Sequence, residues 1–332
     1  METTNAKQRR LVRLLSISAA LVAAIAFMLF TFIAPMMNSG ANDLPLAVAG
    51  PDPMVSQIEN QLEQQAPGSF EVIKADDESA VRDQIMNREA IGGIVLSPAE
   101  TKVLVAGAAG SPYKPMLTQM ANSMQMQAQA QQVELNVVVE DVAPLSEDDP
   151  QGAGLSLLAL PLAFGGMASG IALSRITKRR LSDQLLGVAV VSIIGGLVAA
   201  GILYGYGIIP GSYLQIAAAF AFGIAAISLT VQALDSALPG FAGIGIAAIL
   251  MVFVANPLSG IATGPAWLPA PWGTIGQTLP IGATGTLIRN LAFFDANAIA
   301  TPLIVLGTWF AVALIILCAM HFARKSQQLT RA

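Results

Sequence analysis

SRITKRRLSDQLLGVAVVSIIGGLVAAGILYGY, residues 174–206, is a knot of four cations followed by a long stretch without a charge. Arg175, Lys178, Arg179 and Arg180 precede it, and from Gln184 to Tyr206 every side chain is apolar, small or an uncharged polar group. A bilayer core takes about 20 apolar residues of helix. Lys and Arg beside such a helix resist translocation and so mark the cytoplasmic side. The stretch therefore reads as a basic cytoplasmic turn and a helix that leaves it across a membrane.

Working outward, five more apolar runs of comparable length appear: Leu14 to Met36, Gly152 to Leu173, Tyr213 to Leu234, Gly240 to Pro257 and Pro302 to Phe322. Of the 332 residues 54% are hydrophobic and only 11% charged, less than half the roughly 25% of a soluble domain. The first run follows Lys7, Arg9, Arg10 and Arg13 but is too long for the h-region of a cleaved signal, so it reads as an uncleaved anchor. Arg324, Lys325 and Arg331 follow the last run. Eleven of the 17 basic residues thus flank the runs on one side, which predicts a multi-pass plasma-membrane protein with both termini cytoplasmic.

The expected organisation is a cytoplasmic N-terminus and first transmembrane helix over residues 1–36, an extracytoplasmic α/β domain over 37–151, and a five-helix transmembrane domain over 152–332. The last contains an outer interfacial Pro/Gly/Trp-rich segment at 256–300. The fold class is a mainly α polytopic membrane protein with six transmembrane helices, one before the domain and five after it. Within the domain, strands are predicted at Leu44–Ala49, Phe70–Ile73, Ile91–Leu96, Lys102–Val105 and Glu134–Val139. Helices are predicted at Pro53–Gln65, Glu78–Asn87 behind an Asp77 N-cap, and Pro115–Gln131. This order suggests an α/β layer with one helix-covered sheet face. Its 17 acidic residues against five basic ones make a solvated surface that attracts no acidic ligand. Nothing in the charge balance suits a nucleic acid.

Few groups offer chemistry. No charged residue falls at mid-membrane, where a self-powered transporter would need one; Asp183 and Asp235 are placed in short cytoplasmic turns, and His321 at a helix end. No phosphate-cradling Gly-x-x-x-x-Gly-Lys-Ser/Thr motif is present, no cofactor signature appears, and no catalytic set suggests an enzyme. Met116, Met120 and Met124 repeat at helical spacing with Met126 nearby, a pattern that serves packing more often than a soft metal. Gly165, Gly166, Ser169, Gly170, Gly195, Gly196, Gly243 and Gly245 suit close helix contact in lipid.

The segment from Asn256 to Asn290, NPLSGIATGPAWLPAPWGTIGQTLPIGATGTLIRN, is too rich in Pro and Gly to span and too apolar for a free loop. It reads as short half-inserted helices at the outer interface, where Trp267 and Trp272 would sit at head-group level. Arg289 is the charge available there to hold a phosphate or a carboxylate, or simply to snorkel towards head groups.

This arrangement, with its LPLAVAG strand after the first helix and its NPLSG…PAWLPAPWG…LIRN segment before the last, resembles the ABC type-2 permeases, and among them the YhgE/Pip or DUF3533-like branch. The resemblance extends over nearly the whole chain. It implies a membrane permease subunit that moves a lipid, polymer or hydrophobic compound with a separate ATP-binding subunit, working as a homodimer or paired with a related permease. Trp267, Trp272 and Arg289 would then form the outer mouth, and Arg175, Lys178, Arg179 and Arg180 the surface for partner docking. Two features depart from the family's pattern: only 13 residues precede the first run, and the Ser174–Asp183 turn is short. The alternative is an envelope assembly or secretion scaffold, or a receptor, acting through the outer domain.

Overall fold

The computed structural model describes residues 4–97, 100–132, 135–177 and 180–329. Glu134, Lys178, Arg179 and Arg331, all used in the sequence reading, lie outside them. Described residues are 68% helical, with one small α/β region.

A long helix, α1 (Thr4–Met37), leads into the sheet domain: β1 (Leu44–Ala49), α2 (Asp52–Gln65), β2 (Phe70–Ala75), α3 (Glu78–Met86), β3 (Gly92–Leu96), β4 (Glu100–Val105), α4 (Tyr113–Ala130) and β5 (Asn136–Asp141). The sheet order is β2-β1-β3-β4-β5. Strand β1 runs parallel to both β2 and β3, β4 turns back antiparallel to β3, and β5 is parallel to β4. The Asp77 cap is present, accepting the Ala80 N–H at 2.9 Å; it satisfies one of the open donors at the start of α3.

The expectation of one covered sheet face is corrected. Consecutive Gly92 and Gly93 in β3 point to opposite faces; the first lies against Leu117 of α4 and the second against Val81 of α3. Both faces are therefore covered. The cause is visible in β1, where Leu46, Ala47 and Val48 are all fully buried: strands joined by helical crossovers are apolar on both sides rather than alternating.

After the domain come α5 (Ala153–Ser156), α6 (Ala159–Ile176), α7 (Leu181–Gly205), α8 (Tyr213–Ala237), α9 (Ala242–Ala248), α10 (Asn256–Leu258), α11 (Trp272–Gln277), α12 (Pro280–Phe293) and α13 (Ala300–Leu329). Five helices are long and apolar enough to cross a membrane: Lys7–Met37, Ala153–Ile176, Leu181–Gly205, Tyr213–Ala237 and Ala300–Gln327. Helix α8 is the hub, packed by α6, α7, α12 and α13. In its most apolar window 61% of residues are buried, against 6% for α1, so α1 is peripheral. Gly170 sits against the Ser228 carbonyl and Gly196 against the Ala217 carbonyl, the close approach that small residues allow.

The sixth apolar run is helical but shorter, Ala242–Leu258. Its middle, Ile249–Ala255, is π-helical, and the Asn256 N–H reaches back to Met251 rather than to the residue four before it. Pro257 supplies the reason, because a proline ring clashes with the carbonyl four residues earlier and removes a donor.

Beyond it, α11 and α12 form a hairpin that dips into the bundle and returns. The Thr278 carbonyl at its tip accepts the Trp309 indole N–H at 2.8 Å. Trp309 lies nine residues into α13, so at 1.5 Å per residue the tip reaches about 14 Å below the domain end. Gly276 permits α11 to pack closely on α10, since a β-carbon there would overlap the Leu258 carbonyl.

Candidate functional site

The sheet domain does not hang free. One continuous apolar cluster runs from Leu46 and Leu117 in the domain to Ile216 of α8 and Leu287 of α12. Main-chain bonds stitch the seam: Ser111 N–H to the Ala262 carbonyl at 3.2 Å, and Gly40 N–H to the Trp267 carbonyl at 3.1 Å. Gly110 makes the contact possible, because a β-carbon there would overlap the Thr263 carbonyl.

At this seam lies a cavity of about 330 Å³, walled by Arg88 and Tyr113 from the domain and by Gln277, Thr286 and Asn290 from the hairpin. Each wall residue is positioned by a local device. Arg88 follows α3 with φ of 64°, in the left-handed conformation that usually goes to glycine after a helix. For a side chain this costs on the order of 1–3 kcal/mol, so something other than backbone ease keeps an arginine there. Its guanidinium lies 4.4 Å over the Phe294 ring, a cation–π contact, and donates a long 3.5 Å bond to the Ala109 carbonyl. Tyr113 opens α4, and its ring meets the edge of Trp267 at 5.9 Å. Gln277 accepts from the Thr286 hydroxyl at 2.6 Å and donates to the Ser259 carbonyl at 2.8 Å.

Arg289 is 4% exposed and donates to the Ile261 carbonyl. It therefore points inward, and the reading in which it snorkels to head groups is overturned. It stands close enough to Tyr113 for its charge to act on the phenol. Among the described residues neither Arg88 nor Arg289 forms an ion pair, and no wall residue is acidic. Burial drags the Arg88 guanidinium down to about 10, which still leaves it charged at neutral pH. Burial pushes the Tyr113 phenol up to about 12, against the opposing pull of the Arg88 and Arg289 cations.

Among the described residues, Asn290 Oδ1 and Arg289 Nε are buried near this seam without a hydrogen-bond partner, and the buried Tyr113 hydroxyl has no acceptor for its proton, while the Trp267 backbone N–H acts on its oxygen. Asn290 uses only its amide nitrogen, donating to the Ala298 carbonyl at 3.1 Å. Leaving such an atom unpaired costs about 1–3 kcal/mol, and a ligand in the cavity is one way to supply the missing partners.

The residues expected at an outer mouth divide. Trp267 packs edge-on against Tyr113 and the Arg289 charge acts on that phenol, though neither is a wall residue, whereas Trp272 packs on Phe30 of α1, ring centres 6.5 Å apart, away from the cavity. Arg88, Tyr113 and Asn290 escaped the sequence reading. Arg88 carried the one available signal, being one of only five cations in an acidic domain.

At the far end of the bundle a second polar cluster forms. Asp235, expected in a turn, lies on the last turn of α8 and is fully buried. It accepts from the Ser174 hydroxyl and pairs with Arg175 at 3.3 Å, while Arg324 donates to the Ser236 carbonyl at 2.8 Å. Helices α6, α8 and α13 are thereby pinned together. Of the expected docking residues, Arg175 is half-exposed and Arg180 is exposed at the start of α7; Lys178 and Arg179 lie outside the described residues.

Met116, Met120 and Met124 face Ile58 and Leu62 of α2 across a groove of about 340 Å³, and Met126 points elsewhere, exposed. Among the described residues no cluster of three His, Cys, Asp or Glu groups could hold a metal ion.

No protein-family model, no curated protein and no solved structure matches the chain. The geometry alone carries the functional argument.

Proposed function

We propose that the chain is the membrane subunit of an exporter, moving a lipid, polymer or hydrophobic compound across the plasma membrane while a separate ATP-binding subunit supplies the work. In this reading both termini and the α6–α7 turn are cytoplasmic, the sheet domain is outside, and the composite helix Ala242–Leu258 completes a sixth crossing. The observation that carries it is the α11–α12 hairpin, which borders a cavity of mixed apolar and polar lining beneath the sheet domain and reaches about 14 Å into the bundle. Irregular backbone at membrane depth is tolerated where it is buried in protein or lines a cavity, and a plain anchor needs neither.

Two further features support the reading. The Arg175–Asp235 pair ties the basic turn to the hub helix α8, so a push on that turn reaches the core of the bundle. Helices α7 and α13 keep apolar side chains such as Ile194, Val198, Ile304 and Ile315 exposed, a surface for lipid and for the second copy or related permease of a dimer.

The groove between α2 and α4 favours a second reading, an envelope assembly or secretion scaffold that uses the outer domain. Purification of the tagged protein in mild detergent, with mass spectrometry of what stays bound, separates the two. A stoichiometric ATPase, lost when Lys178, Arg179 and Arg180 are changed to Ala, is the expected result. An envelope protein bound in its place would sink the exporter and leave the scaffold.

A further inference from the structure

We propose that the cavity at the domain seam is a binding site for a phosphate ester that also carries a free hydroxyl, the chemistry of a polyol-phosphate head group. The inference names the ligand class of the mouth described above and to that extent rests on the exporter reading.

Arg88 lines the cavity and pairs with no carboxylate among the described residues. Arg289 is not itself a wall residue; it is buried and holds the Ile261 carbonyl. An anion in the cavity supplies the counter-charge that Arg88 lacks. A guanidinium donates to phosphate oxygens in a fixed fork, and charge-assisted bonds of this kind are about twice as strong as neutral ones. Tyr113 is a wall residue whose buried hydroxyl has no acceptor among the described residues; a phosphate oxygen supplies one.

The orphan oxygen on Asn290 has the opposite need. Oδ1 is an acceptor, fully buried and unpartnered, while the amide nitrogen of the same side chain is already bound to Ala298. A bare anion cannot satisfy an acceptor. A hydroxyl on the same ligand can, which is why the site suits a polyol phosphate better than inorganic phosphate. The space agrees, since about 330 Å³ holds far more than one phosphate group. Apolar wall residues, Pro265, Ala266 and Pro302, accommodate the carbon skeleton. Such a head group reaches the cavity from a membrane lipid or from water, and the wall chemistry is the same for both.

The test is calorimetric titration of the full-length protein in phosphatidylcholine nanodiscs with three probes: dihexanoyl-phosphatidylglycerol, glycerol phosphate and inorganic phosphate. The proposal expects at least one of the two polyol phosphates to bind about tenfold more tightly than inorganic phosphate, the difference made by the hydroxyl that meets Asn290. Preference for the phosphatidylglycerol assigns a lipid source, and preference for glycerol phosphate a soluble one. Tyr113→Phe should weaken the preferred probe about tenfold, and Arg88→Gln should weaken it further. Tyr113→Phe removes an unpartnered hydroxyl, so its unliganded thermal midpoint should hold or rise, which separates lost binding from lost folding. Equal affinities for wild type and both variants, or no binding of any probe, would overturn the proposal. The measurement needs no ATPase, so a chain that binds the probe but recovers no ATPase would retain this site and lose only the exporter reading.

Discussion

The two ends of the helix bundle handle buried charge in opposite ways. At the far end Asp235 is fully buried and matched: a serine hydroxyl donates to it and Arg175 neutralises it. At the domain end Arg88 and Arg289 are unmatched by any anion among the described residues, and the Tyr113 hydroxyl and Asn290 carbonyl beside them go unpaired. A satisfied pair holds helices in register. An unsatisfied cluster is costly to fold and is kept when something outside the chain completes it. By that comparison the charges at the far end act as a fastening, although Gln184 Nε2 and Gln232 Oε1 are unpaired there as well, and the domain end is the candidate site.

The comparison breaks most easily at the fastening. Arg175→Ala removes one charged partner of the buried Asp235 carboxylate, and a loss of up to about 3 kcal/mol is expected, reduced because Arg175 is half-exposed. Denaturant titration of the detergent-solubilised protein would measure it, and an unchanged midpoint would mean that the pair fastens nothing. Next in size is Gly110→Ala, whose added methyl overlaps the Thr263 carbonyl. A cost of about 2 kcal/mol is expected, the usual penalty of overpacking, confined to the seam. Limited proteolysis should show the domain opening from the bundle while the α6–α8 contacts stay protected.

A smaller effect of opposite sign sharpens the distinction. Arg88→Gly relieves the left-handed strain at φ of 64° and removes an unmatched cation. The variant is expected to gain about 1 kcal/mol in thermal stability without ligand while losing phosphate affinity; a loss of stability would show Arg88 to be structural after all.

The smallest effect belongs to the sheet surface, where Glu78 bridges Lys102 at 2.9 Å and Arg82 at 2.8 Å. The bonds to Lys102 and then Arg82 hold its carboxyl below the ordinary 4.5. A depressed folded value means that the stability it adds is present above pH 4.5 and is lost as the pH falls through the lower folded value. Partly exposed pairs are worth well under 1 kcal/mol. Glu78→Gln should therefore remove a shallow acid-side slope in domain stability, and the slope should fade in high salt.

Much of the architecture was legible in the chain. The charge-free runs marked five long helices, with α1 and α13 running seven to ten residues past the charged ends of their runs, because lipid imposes a length and a composition that soluble packing does not. Strand and helix order in the domain followed from apolar spacing and from the Asp77 cap. The second covered face of the sheet was missed because β1 and β3 are apolar at successive positions, and short runs of that kind do not reveal which neighbours cover them. Arg289 was singled out by scarcity, yet its direction was not readable, since an arginine stem can reach either way from an amphipathic helix.

The sequence by itself determined that the chain lives in a membrane, where its helices lie, and that a broken, proline-rich segment interrupts them, because each of these depends on neighbours within one turn or one bilayer's length. Only the tertiary structure decided the site. Arg88 and Tyr113 meet residues from a hairpin nearly two hundred positions further along the chain, and whether a buried polar atom is matched or left open is a property of the three-dimensional surroundings that no local pattern encodes.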